Sequence, residues 1–265
     1  YESDFEIFSP PYSNYDLTQS EAYKSADIIH LHWVAGYLDY PSFFEKNKKP
    51  IVWTLHDENP FRGGFHYKQD EIQNKLQYYQ GLDKLYKKLK LEAINKQEHL
   101  SIVTPSKWLK DAALESDVFS NRTVKQIYYT LNQSIFKPWD KNLSKEFFKL
   151  PSNKLVFMFV AQHVFNKRKG FDLLEPIILK NHVPHAHYLI VGENKNNLIN
   201  ENVTFTGTIS DERIMALAYS SADCFVLPSR EDNLPNTMLE SLSCGTPLIT
   251  FPIGDFKELI QENLI

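Results

Sequence analysis

A chain of 265 residues, 42% hydrophobic and 14% aromatic, carries enough apolar mass for two separate cores and is not a disordered or low-complexity protein. Its formal charge of −4 gives no global basic field, which excludes a dedicated nucleic-acid binder resting on phosphate neutralisation. The two cysteines, Cys224 and Cys244, lack metal-ligand spacing and fit a reducing, cytoplasmic setting, and no window reaches the roughly 18 apolar residues of a membrane-spanning helix.

The chain opens on YESDFEIFSPPYSN, which is neither a signal peptide nor an amphipathic transit peptide. Four β-branched, apolar runs follow, ADIIHLHWV, PIVWTLH, LSIVTPS and VKQIYY, and each predicts a buried strand. Helical spacing fills Asp70 to Gln97 and Lys107 to Leu114. Within the first of these, Lys84, Lys87, Lys88 and Lys90 alternate with Leu85, Leu89 and Leu91, which predicts a basic amphipathic face suited to an anionic lipid surface or to plain solvent. Gly63 and Gly64, followed by His66 and Tyr67, read as a turn with a conceivable acceptor role.

The stretch 136–153, FKPWDKNLSKEFFKLPSN, interrupts the pattern with two prolines and mixed charge, so the boundary between two domains is expected there, giving 1–140 and 141–265. Five further strands are predicted at KLVFMFVAQ, AHYLIVG, NVTFTG, DCFVLPS and PLITF, with helices at Phe171 to Ile178, Asp211 to Ser220 and Leu234 to Cys244, and another in FKELIQEN at the end. Alternating strand and helix indicates α/β architecture with parallel sheets. Ligands of such sheets sit beyond the carboxyl ends of the strands, which draws attention to His56, Gln162 to Lys169, Gly192 to Lys195, Gly207 and Asp232 to Asn236. The pairs His30/His32 and His185/His187 each share one side of a strand but lack a clear third ligand, so no metal site is assigned.

After DCFVL, the segment PSREDNLPNTMLESLSCGTP places a polar loop before a helix with Pro235 near its start and Gly245 past its end. Met238, Leu239 and Leu242 form the buried stripe, leaving Glu240 on another face. The helix start from Leu234 to Thr237, with Pro235 inside it, presents unpaired backbone N–H groups that are expected to cradle a diphosphate. Glu240 can accept from ribose hydroxyls, and Asp232, with Asn233 beside it, from a sugar beyond the phosphates.

This segment resembles the acid-x7-acid motif of family 4 glycosyltransferases, here running from Asp232 to Glu240, in a variant similar to bacterial exopolysaccharide, lipopolysaccharide and capsule transferases. Glu231 is an alternative first acid. VAQHVFNKRKGFDLL resembles the loop in which an Arg and a Lys clamp the donor diphosphate: Lys169 matches the Lys, Gln162 stands at the Arg position, and Arg168 is a substitute for it. IVWTLHDENPF resembles the strand whose terminal His, here His56, lies near the transferred sugar, and Gly207 falls in the base-contacting loop.

The resemblance covers roughly Ile28 to Ile260. It implies a GT-B fold, two Rossmann-like domains facing across a cleft, with the acceptor side first and the nucleotide-sugar side second, and a core lacking parts of both ends. It implies retaining transfer of a sugar from a UDP- or GDP-linked donor to a glycan or polyprenyl-linked acceptor, without a metal or other cofactor, in the cytoplasm or on the inner face of a bacterial cytoplasmic membrane. His56, Asp232 and Lys169 are the expected catalytic residues. A sugar-nucleotide epimerase of the same fold and a catalytically silent nucleotide-sugar-binding domain are the alternatives.

Overall fold

The computed structural model describes residues 7–194, 198–256 and 259, and divides the chain between Tyr128 and Tyr129 into two compact units. Lys195, the first six residues and most of the helix expected at 256–263 lie outside the described residues.

In the first unit, strands β1 (Ile29–Leu31), β2 (Ile51–Thr54), β3 (Leu100–Thr104) and β4 (Thr123–Gln126) form a parallel sheet in that order. Its helices are α1 (Glu21–Ser25), α2 (Tyr40–Lys46), α3 (Lys68–Gln73), α4 (Gln77–Ile94) and α5 (Lys107–Glu115). All four predicted strands form. The core centres on Trp53, which is fully buried and lies about 6 Å, ring to ring, from Tyr40, Phe44 and Phe119. Such burial contributes roughly 2–3 kcal/mol per ring.

The single helix expected from Asp70 to Gln97 is broken at Asn74–Leu76. Asn74 Oδ1 accepts from the Leu76 amide at 3.2 Å and its Nδ2 donates to the Leu76 carbonyl at 3.1 Å, a side-chain turn that competes with the helix ladder. Lys90, expected on a solvated basic face, is instead fully buried. Its Nζ donates to Asn59 O at 2.6 Å and Asn59 Oδ1 at 3.1 Å, and burial pushes its pKa down to about 7.

The second unit contains α6 (Lys141–Phe147), β5 (Leu155–His163), α7 (Phe171–Leu179), β6 (Ala186–Glu193), β7 (Val203–Gly207), α8 (Glu212–Ser221), β8 (Cys224–Leu227), α9 (Asn236–Ser243) and β9 (Leu248–Thr250). The sheet is parallel throughout, with strand order β7-β6-β5-β8-β9. The chain winds outward from β5 in one direction and then resumes on its other side with β8, so β5 and β8 flank a topological switch point, where open α/β sheets bind ligands.

The division between units precedes the boundary expected after residue 140. The intervening residues belong to the second core: Phe136 is buried in it, Tyr129, Leu131 and Ile135 pack on it, Ser220 Oγ accepts from the Trp139 amide at 3.1 Å, and Ser243 Oγ donates to the Phe136 carbonyl. The supposed linker also carries a helix, α6, whose N-cap Asp140 accepts from the Leu143 amide at 2.8 Å. Among the described residues no helix is long and apolar enough to cross a membrane.

Candidate functional site

Two loops meet at the carboxyl ends of β5 and β8. After β5, Asn166 caps a short 3-10 turn, Lys167–Lys169, by accepting from the Arg168 amide at 2.9 Å, and Gly170 then turns the chain with φ +76° into α7. A Cβ on Gly170 would lie 1.9 Å from the Pro228 carbonyl oxygen, so only glycine permits this loop to lie against the end of β8. The contact is reinforced from the other side. The Arg230 amide donates to Arg168 O at 2.8 Å, and its guanidinium makes two bonds of 2.7 Å to Asp172.

This arrangement brings Arg168, Lys169 and Asp232 together. Asp232 is buried, at 8% exposure, and its Oδ2 accepts from Lys169 Nζ at 2.6 Å, with Arg168 Nη1 at 3.5 Å. Arg168 Nη1 also donates to Glu231 O at 3.1 Å. Asp232 Oδ1 accepts from the amide of Asn233, which is buried. Gly254, at φ +51°, lets the segment after β9 close over these residues: its added Cβ would fall 2.1 Å from Asn233 O. At the end of β8, Ser229 Oγ is fully buried without a hydrogen-bond partner.

Helix α9 begins at Asn236, with Pro235 as its N-cap, rather than at Leu234. Pro235 has no N–H, and the Leu234 side chain is buried in the core, so the helix-start donors of the expected set are the amides of Leu234, Asn236 and Thr237. One turn on, Glu240 Oε2 accepts from the Tyr219 hydroxyl at 2.8 Å. Burial raises the Glu240 pKa, the Tyr219 hydrogen bond opposes this, and the charge of Glu212 adds to it.

Glu240 also lines a pocket of roughly 350 Å³ with Gln162, Gly192, Thr208, Asp211 and Glu212. Gly192, at φ +135°, faces Ala161 so closely that a Cβ would sit 1.8 Å from its carbonyl oxygen. Gly207 does not line the pocket. At φ +71° it ends β7 and turns the chain so that residues 208–212 do. The second unit therefore assembles the candidates in two neighbouring groups on one sheet: an ion cluster of Arg168, Lys169 and Asp232, and a pocket holding Gln162 and Glu240.

His56 belongs to the first unit, at the carboxyl end of β2, where its Nε2 lies 3.0 Å from His32 Nδ1. Burial and then the neighbouring His32 imidazole hold its pKa below the ordinary histidine value, Asp57 pulls the other way, and His30 adds a still smaller lowering. His66, expected beside a ligand, is buried: its Nδ1 meets Asp57 Oδ2 at 2.7 Å and its Nε2 meets Ser9 Oγ at 2.9 Å. Trp33, Asp57 and Tyr219 were not singled out by sequence reasoning, because the Trp33–Asp57 and Tyr219–Glu240 hydrogen bonds span 24 and 21 residues of the chain.

Comparison with known proteins bears on this geometry. Residues 154–264 match the family described as Glycosyl transferases group 1. An alpha-galactosylglucosyldiacylglycerol synthase of Streptococcus pneumoniae is 24% identical over 260 residues, covering 90% of this chain and 63% of the relative. The O-antigen biosynthesis glycosyltransferase WclY of Escherichia coli is 34% identical over 106 residues, 36% of this chain and 29% of that protein. Among solved structures, Anabaena HepE in complex with UDP and glucose aligns with a TM-score of 0.65 at 14% identity, over 94% of this chain and 68% of that one. The structural likeness shows the fold, GT-B, with two Rossmann-like parallel-sheet units. The chain spans less than two thirds of the length of the streptococcal relative.

Proposed function

We propose that the chain, whose residues 154–264 match the glycosyltransferase group 1 family, moves a sugar from a nucleotide-sugar donor to a glycan or lipid-linked glycan, with retention of configuration, in bacterial surface polysaccharide or glycolipid synthesis. The observation that carries the reading is the buried Asp232 carboxylate, held 2.6 Å from Lys169 beside the switch point of the second sheet, with Glu240 a further eight residues along.

In this reading the second unit takes the donor. Glu240 and the pocket it lines hold the nucleoside, with Gln162 contributing a neutral amide where the related motif has an arginine. The leaving diphosphate gathers negative charge as the glycosyl bond loosens, and preorganised donors aimed at that charge lower the barrier. Lys169, Arg168 and the first amides of α9 fill this role, so the transfer is assigned no metal. A diphosphate competes with Asp232 for Lys169, which releases the carboxylate to accept from hydroxyls of the donor sugar.

The first unit takes the acceptor side. His56, kept neutral near pH 7 by its depressed pKa, hydrogen-bonds a sugar hydroxyl. A peripheral contact with an anionic membrane on its cytoplasmic side rests on α3 and α4, where Lys84 and Lys88 are exposed together with Ile72, Tyr78 and Leu85.

The test is incubation of the protein with UDP-, GDP- and ADP-hexoses in the presence of oligosaccharide and polyprenyl-phosphate-linked acceptors, with NMR of the product anomer. We expect transfer with retention, and a drop of about 100-fold in donor turnover for Glu240→Gln. Binding without any turnover would instead mark a silent nucleotide-sugar domain, and interconversion of the donor sugars would mark an epimerase.

A further inference from the structure

In the first unit, β1, β2 and the segments that follow them are joined by three side-chain links, each spanning 24 residues: His30 Nε2 to Thr54 Oγ1 at 2.9 Å, His32 Nδ1 to His56 Nε2 at 3.0 Å, and Trp33 Nε1 to Asp57 Oδ2 at 2.9 Å. The third link differs in where its members lie. Asp57 is buried, at 5% exposure, whereas Trp33 leaves 53% of its surface in water.

The anchor beneath the indole is elaborate. Asp57 Oδ2 also meets His66 Nδ1 at 2.7 Å, and a carboxylate only accepts, so Nδ1 carries the proton. For a neutral imidazole, Nε2 then accepts from the Ser9 hydroxyl at 2.9 Å. Asp57 Oδ1 accepts from the Asn59 amide at 3.0 Å, and buried Lys90 holds the Asn59 carbonyl. The indole N–H is thus consumed inward by a buried hydroxyl–imidazole–carboxylate chain, which fixes the ring while leaving much of it open to solvent.

Holding the exposed half of a large apolar ring rigid in water gains little for folding, since neither that area nor the ring's rotamer freedom is recovered. It does preorganise a contact surface. Nearby on the same segment Tyr37 is also exposed, its ring 5.3 Å from that of exposed Tyr15. Residues 28–40 contain no Lys or Arg, unlike the exposed face of α4, so an anionic headgroup finds no cation on this segment. The adjacent polar groups are imidazoles, which donate to and accept from hydroxyls. Flat aromatic faces beside neutral hydrogen-bonding groups suit an uncharged pyranose, whose C–H face packs on a ring while its hydroxyls reach the imidazoles.

We propose that Trp33 is a stacking platform for a neutral sugar ring of the acceptor glycan, and that Asp57, His66 and Ser9 are positioning residues that fix it. The inference rests on the transferase reading only in calling that glycan the acceptor.

The experiment titrates the protein with a panel of neutral α- and β-linked disaccharides at millimolar concentration, following the Trp33 Nε1–H resonance, and separately with UDP and GDP. At least one disaccharide is expected to shift that resonance. Trp33→Ala should weaken its binding about tenfold or more and Trp33→Phe only a few-fold, with nucleotide affinity unchanged in both. Asp57→Asn should broaden or move the resonance and lower sugar affinity, which a role confined to stability would not do. The proposal is overturned if no disaccharide perturbs Trp33, if Trp33→Ala binds as well as the parent, or if phosphatidylglycerol vesicles perturb the resonance in place of the sugars. Sugar binding without nucleotide binding would defeat the transferase reading and leave this one standing.

Discussion

Lys169 and Asp232 must be considered as a pair, because each determines the charge environment of the other. With Asp232 at 8% exposure and Lys169 Nζ 2.6 Å away, deleting the lysine leaves a mostly buried carboxylate facing only the more distant Arg168 among its cations. Lys169→Met should therefore lower the unfolding free energy by about 2 kcal/mol, and adding Asp232→Asn should recover about half of that. Urea unfolding of the two single mutants and the double mutant measures the coupling, and simple additivity would contradict it. Lys169 was legible in the sequence because it sits in a compact run, Asn166 to Gly170, that ends in glycine. Lys90 was not: it stands among solvated lysines in the same helix, and only the distant Asn59, Asp57 and Asp83 explain its burial.

At the scale of elements, the nine strands among the described residues were readable from their β-branched runs, since strands of parallel sheets are apolar on both faces. Helix ends were less so. The break at Asn74 depends on a side-chain turn, α9 starts only at Asn236 because Pro235 is extended, at ψ 119°, and α6 lies where two prolines and mixed charge suggested a linker. The loop that carries Lys169 depends on Gly170 more than on any side chain. Gly170→Ala combines a left-handed backbone with a Cβ 1.9 Å from Pro228 O, and should cost about 3 kcal/mol or more. A fall in the thermal midpoint with simultaneous loss of nucleotide binding is expected. An unchanged midpoint would mean that the loop does not rest on β8 in this way.

At the scale of the whole molecule, two units carry separate cores, one around Trp53 and the other around the β5–β8 region, so the division of labour can be tested by cutting the chain. The cut belongs after Tyr128, not at residue 140, because Phe136 and the hydrogen bonds to Ser220 and Ser243 complete the second core. Composition alone misplaced it, since prolines and charges in 136–153 mark turns within the second unit. Calorimetric titration of UDP, GDP and ADP into residues 129–265, with and without Glu240→Gln, is the most direct test of where the donor binds. A folded fragment should bind at least one of the three, and the substitution should weaken that binding about tenfold or more. A folded fragment that binds none of them, or binds equally well with glutamine at 240, would contradict the assignment of the donor site to the second unit.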